Sequence, residues 1–183
     1  MTAHRTPRPL TRPGAFRQAG LTLIETLVAL SIFALVVGGA LALFGSASSS
    51  QNTTQFTSDL NALRAATKTL YFGQGGYGTA SLGEVLINGK KVPTTMTITG
   101  AAPSRVINHS LNGQVTVSGK NNAQFTVTAT NIPTDVCIGL AAMNGWDSVQ
   151  IGTAGAHTTA ISPTVASTEC GAATVQPIVF TGS

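Results

Sequence analysis

At 183 residues the chain has room for one membrane-spanning element and one modest folded domain, but not for a second large core. Charged residues are only 9% of it, and the formal charge of +4 belongs to the first segment: Arg5, Arg8, Arg12 and Arg17 precede Gly20, leaving six basic against six acidic residues in the remainder. A nearly neutral body without a basic stripe excludes electrostatically driven nucleic-acid binding, and sparse charge with abundant Ser, Thr, Asn and Gly is more usual in secreted and surface proteins than in cytosolic enzymes.

Residues 1–20, MTAHRTPRPLTRPGAFRQAG, contain three Pro and no apolar periodicity, so they are expected to stay extended. Arg clustered just before an apolar run is the positive-inside signal, which holds this end in the cytoplasm. From Leu21 to Phe44 the sequence LTLIETLVALSIFALVVGGALALF carries one charged group, Glu25. As a helix these residues reach about 36 Å, enough to cross a hydrocarbon core of about 30 Å. Gly38 and Gly39 interrupt the span, each costing up to about 1 kcal/mol of helix stability relative to Ala. They suit either close packing of helices or a segment that bends or melts when its surroundings change.

Beyond the polar stretch SASSSQNTT, the positions Phe56, Leu60, Leu63 and Leu70 mark one helical stripe, so the helix is expected to continue over 45–72. GQGGYG ends it, because Gly73, Gly75, Gly76 and Gly78 disfavour further helix. Those glycines follow a helix and lack the Lys of a phosphate-binding loop. Residues 73–183 then alternate with the strand period in TMTIT from Thr95, QVTVS from Gln114, QFTVTAT from Gln124, SVQI from Ser148 and VQPIVF from Val175. Turns such as LNG and GKNN between them predict an antiparallel sheet. PTDVCIGLAAM reads as a short helix opening at Pro133, with Asp135 in its first turn. Cys137 and Cys170 would form a disulfide in an oxidising compartment, closing a loop over 137–170 worth about 3.8 kcal/mol in the chain-entropy account. A two-ligand metal site is the rival, but no His stands at a supporting spacing.

The start of the apolar run separates an anchor from something more specialised. A Glu entering lipid needs a partner. If the chain is cut after Gly20, Leu21 acquires an amine that is mainly protonated at neutral pH, one helical turn below Glu25. Such a pair can form within one chain or between neighbours, and removing one partner of a buried pair typically costs about 3 to 5 kcal/mol.

Gly20, Leu21, Thr22, Leu23, Ile24 and Glu25, with an Arg-rich leader before them and an apolar helix after, resemble the class III leader of type IV prepilins. The 20-residue leader and Leu at the first mature position resemble the type IVb branch. QFTVTATNIPTDVCIGLAAM is similar to the head of major prepilins from conjugative thin pili and bundle-forming pili. The resemblance implies an α+β type IV pilin fold, with a long N-terminal helix packed on an antiparallel sheet and a C-terminal region bounded by the Cys137–Cys170 disulfide. It implies that a prepilin peptidase cuts between Gly20 and Leu21 and methylates Leu21, and that Glu25 serves assembly and register. The implied partners are further copies of the chain, the inner membrane before assembly, an assembly ATPase with its inner-membrane platform, and an outer-membrane secretin. The product would be an extracellular filament for adhesion, aggregation or conjugative mating contact, with a minor pilin or secretion pseudopilin as the alternative. No Pro stands at position 42, where many pilins have one and this chain has Ala42; Gly38 and Gly39 would have to supply any helix break.

Two further readings compete. A secretory signal ending near Ala40, Leu41 and Ala42 would release a soluble head, but leaves Glu25 unexplained inside the signal's apolar core. A membrane-tethered enzyme finds no support: His109 and His157 read as isolated loop residues, and Asp135, Asp147 and Glu169 specify neither a carboxylate pair nor a metal site. No catalytic residue, cofactor or metal is expected. Trp146 reads as core, Arg64 and Lys68 as a solvated helix face, and Lys90 with Lys91 as a solvated turn.

Overall fold

The computed structural model describes residues 22–183, apart from the side chains of residues 42, 44–47 and 49. Its contacts divide the chain into two units, Met1–Ala42 and Leu43–Ser183. Helix α1 runs from Leu23 to Tyr71. It is followed by α2 (Gly83–Asn88), β1 (Thr97–Thr99), β2 (Val106–His109), β3 (Gly113–Gly119), β4 (Phe125–Pro133), α3 (Thr134–Ala141), β5 (Ser148–Ile151), α4 (Pro163–Cys170) and β6 (Val175–Gly182).

In the second unit the α1 stripe does what its spacing predicts. Phe56, Leu60 and Leu63 are buried against the sheet and Leu70 is half-buried. Fully burying side chains of this size contributes about 1.5 to 3 kcal/mol each. Polar residues complete the stripe where they can be satisfied. Buried Thr67 donates its hydroxyl to Leu63 O at 2.8 Å, and buried Asp59 accepts from Gln55 at 3.0 Å and from Thr95 at 2.7 Å. The glycine run ends α1 as expected, with Gly73, Gly76 and Gly78 at positive φ.

The sheet is antiparallel throughout, in the order β1-β2-β3-β4-β6-β5. Strict alternation on β3 turns Val115 and Val117 inward, and β4 does the same with Phe125, Val127 and Ala129. Between Ala129 and Ile132 the pairing with β6 slips at a bulge. There Asn131 adopts φ 59° and donates from Nδ2 to Leu111 O and Asn112 O at 3.2 and 3.1 Å, fastening the β2–β3 turn to the end of β4. Asn tolerates this backbone region better than most residues. The chain then enters α3, with Pro133 as its N-cap residue.

Three elements escape the periodicity reading. Strand β2 is four residues long and two of them are polar. Helices α2 and α4, of six and eight residues, are too short to show a stripe. Helix α4 nonetheless carries a readable start, Ser162–Pro163: the Ser162 hydroxyl accepts from Val165 N–H at 3.4 Å and Pro163 stands at the helix opening. The strand anticipated from Thr95 begins at Thr97, because Pro93 to Met96 form a turn closed by Met96 N–H to Pro93 O. Cys137 on α3 and Cys170 on α4 are joined in a disulfide with both residues buried.

Candidate functional site

The first unit offers one described feature, the opening part of α1. Thr22 precedes the helix, and its Oγ1 accepts from Glu25 N–H at 3.4 Å. Thr-Leu-Ile-Glu is thus a capping sequence, with Thr22 at the cap and Glu25 in the first turn, where the helix dipole favours negative charge. This local role was not foreseen for Thr22, although the Thr-x-x-Glu spacing signals it. Gly20 and Leu21, the expected cleavage and methylation positions, lie outside the described residues.

The segment Leu23–Leu41, which includes Glu25, is long and apolar enough to cross a membrane, and no part of it is buried among the described residues. Leu23 and Leu35 are 77% exposed and Phe33 is 67% exposed. The apolar residues lie on every side of the helix, so a single docked face cannot cover them; the segment requires apolar surroundings all round. Its hydroxyls suit that environment. Thr26 donates to Leu23 O and Ser31 to Leu27 O, each at 2.8 Å, so neither presents an unpaired donor to lipid. The helix runs unbroken through Gly38 and Gly39, since cooperative propagation through the flanking Val and Leu residues outweighs the local cost of two glycines. A Cβ at either glycine would meet nothing within 4 Å, so no contact among the described residues demands the small residue.

In the second unit several residues read as solvated prove to be structural. His109 is buried on β2 and packs on Phe56 with ring centroids 4.7 Å apart. Its Nε2 lies 2.9 Å from Thr130 O and its Nδ1 accepts from Leu111 N–H at 3.2 Å, an arrangement that fits the neutral Nε2–H tautomer. Burial lowers its pKa, and the bond to Thr130 only partly opposes this. The unfolded state therefore binds the proton more readily, so this stabilisation is full above about pH 6.5 and is lost as the pH falls through and below that value. Denaturant midpoints measured at pH 7.5 and 5.5 should fall more steeply for the wild-type protein than for His109→Gln; parallel slopes would count against the assignment.

His157 is not isolated either: its Nε2 stands 2.9 Å from a Glu169 oxygen, tying the loop after β5 to α4. Arg64 is not on a solvated face but lies over Trp146, 5.3 Å from the ring centroid, and Trp146 packs between Phe125 and Phe180 at the margin of the core. Three side-chain bonds and one backbone bond from Arg105 hold the Glu84 carboxyl below the usual carboxylate range. Lys90 and Lys91 are exposed in a turn, as expected. Among the described residues no three His, Cys, Asp or Glu side chains converge as metal ligands. Apart from the bond between His109 and Leu111, these polar contacts were illegible in the sequence because they join separate elements of the chain.

A family model described as PilS N terminal matches residues 50–183, and one described as a prokaryotic N-terminal methylation motif matches residues 15–41. Among curated proteins, the major structural subunit of bundle-forming pilus from Escherichia coli O127:H6 (strain E2348/69 / EPEC) is 27% identical over 130 residues, and its counterpart from Escherichia coli O111:H- matches equally. The match covers 69% of this chain, which spans 65% of the length of these relatives. Among solved structures, a type IV b pilin from Salmonella typhi superposes with a TM-score of 0.57 at 24% identity, covering 68% of this chain and 95% of that one.

Proposed function

The chain belongs to the PilS family of type IVb prepilins, and on that premise we propose that it is a structural subunit, the major one, of a type IVb pilus. The observation that carries the reading is the helix Leu23–Leu41, uncovered on all sides and opening on Thr22 and Glu25. Such a helix is at rest in two surroundings, lipid and a bundle of its own copies, and moving it between them exchanges lipid contacts for helix packing. The fold supports a structural rather than an enzymatic role.

In this reading the precursor spans the inner membrane with its basic leader in the cytoplasm and its head outside, where an oxidising compartment suits the disulfide. A prepilin peptidase cuts between Gly20 and Leu21 and methylates the new amine. Glu25 of one subunit pairs with the amine of another and sets the axial register. An assembly ATPase and its inner-membrane platform lift the subunit into the filament, which leaves through an outer-membrane secretin. Gly38 and Gly39 ease local unwinding of the helix as it exchanges lipid for neighbours. The filament then serves adhesion, aggregation or mating contact.

Mass spectrometry of filaments sheared from cells tests the proposal. The expected chain begins at Leu21, carries a methyl group and is the dominant component. A chain beginning near Leu43 would instead mean secretion of a soluble head, and trace abundance would make this a minor subunit.

A further inference from the structure

The chain holds three Asn-Gly pairs, Asn88–Gly89, Asn112–Gly113 and Asn144–Gly145, and their settings differ. An Asn side chain followed by Gly can cyclise onto the next peptide nitrogen, because Gly offers no side chain to obstruct the approach and little resistance to the backbone rotation required. Two of the pairs are restrained. Gly89 N–H donates to Val85 O at 2.9 Å at the end of α2, and the Asn88 side-chain amide oxygen Oδ1 accepts from Arg105 Nη2. Gly113 is held in the β2–β3 ladder opposite His109, where any Cβ would collide with Thr130 O and the His109 ring.

Asn144–Gly145 lies in the segment between α3 and β5, with both residues exposed and Gly145 at φ 96°. Among the described residues neither the Asn144 side chain nor the Gly145 N–H has a hydrogen-bond partner. Arg64 reaches this turn from α1: a Cβ on Gly145 would stand 2.9 Å from Arg64 Nη1. The guanidinium makes no ion pair among the described residues, and its buried Nε lacks an acceptor.

We propose that Asn144 is a site of spontaneous deamidation, promoted by the adjacent Arg64 guanidinium. Gly145 N gives its proton to water and attacks Asn144 Cγ, forming a new N–C bond in a tetrahedral adduct; the amide nitrogen then takes a proton from water, its C–N bond breaks and it leaves as ammonia. Water then opens the cyclic imide at either carbonyl, leaving aspartate or isoaspartate at position 144. Arg64 favours the negative charge that develops on the attacking nitrogen and on the carbonyl oxygen, as a fixed cation does beside an oxyanion. The product carboxylate then neutralises a cation that otherwise has no counter-charge at this site.

The test is incubation of the full-length protein in detergent at mildly alkaline pH, with peptide mapping by mass spectrometry over time; it does not depend on filament assembly. The amide-to-acid mass change should arise at Asn144 first, about tenfold faster than at Asn88 or Asn112, the equivalent of about 1.4 kcal/mol in barrier. Arg64→Gln should slow conversion at Asn144 and leave the other two unchanged. Conversion of Asn88 or Asn112 at the same rate or earlier in the wild-type protein would overturn the site, whatever the variant does. An unaltered Asn144 rate in a folded Arg64→Gln protein would overturn the role of the guanidinium.

Discussion

Replacing Glu25 by Ala is expected to leave leader removal intact while lowering filament yield by about two orders of magnitude or more, the consequence of removing one member of the proposed buried pair between Glu25 and the Leu21 amine. The structure adds a complication. Glu25 also stands in the first turn of α1, where Thr22 caps its N–H, so Ala would weaken the helix start as well. Losing a favourable residue at a helix start costs about 1 kcal/mol or less, too little to abolish assembly. Glu25→Gln separates the two effects, because Gln keeps the capping pattern and removes the charge. Circular dichroism in detergent micelles should then report unchanged helix content for Gln, and electron microscopy of sheared material should show few filaments. Wild-type filament yield from Glu25→Gln would mean that the charge is not required.

Replacing both Cys137 and Cys170 by Ser is expected to lower the stability of the head by about 3.8 kcal/mol in the chain-entropy account. Against a typical domain stability of about 5 to 15 kcal/mol this is a large share. The structure says where the loss should appear first. Helix α4 is eight residues long, with Ala166 and Cys170 its only buried side chains, and the disulfide is its covalent tie to α3. Other local fastenings include the Thr134 hydroxyl, 3.4 Å from Cys170 O, Ala173 O and Thr174 O, and the His157–Glu169 pair. Hydrogen exchange in the double variant should therefore rise across 152–174 before it rises in β3 or β4, and the denaturant midpoint should fall. An unchanged midpoint with unchanged protection in α4 would show that the crosslink adds nothing to the folded state.

Much of the molecule was legible from local pattern. The apolar span, its single carboxylate and the Arg-rich segment before it are contiguous, so their chemistry can be read without knowing the fold. The stripe of Phe56, Leu60 and Leu63 predicted the buried face of α1, and alternation predicted β3, β4 and β6. β2 stayed hidden because its residues, Val-Ile-Asn-His, do not alternate apolar with polar, and α2 and α4 because about two helical turns are too few to display a stripe. The histidines were misjudged for a different reason. Polar neighbours in sequence suggested solvent, whereas His109 alternates inward and meets Phe56 from a helix more than fifty residues earlier.

By itself the sequence determined that this chain carries a membrane-length helix with a charged first turn, a helical stripe, an alternating β region and two cysteines able to pair. These follow from composition and short-range periodicity, which express how single side chains meet water, lipid and their own backbone. Only the tertiary structure decided that β6, the last strand, enters between β4 and β5, that the bulge at Asn131 turns the chain into α3, and that Arg64 and Trp146 close over one turn. Those outcomes depend on which distant surfaces bury one another best, and no local pattern records that competition.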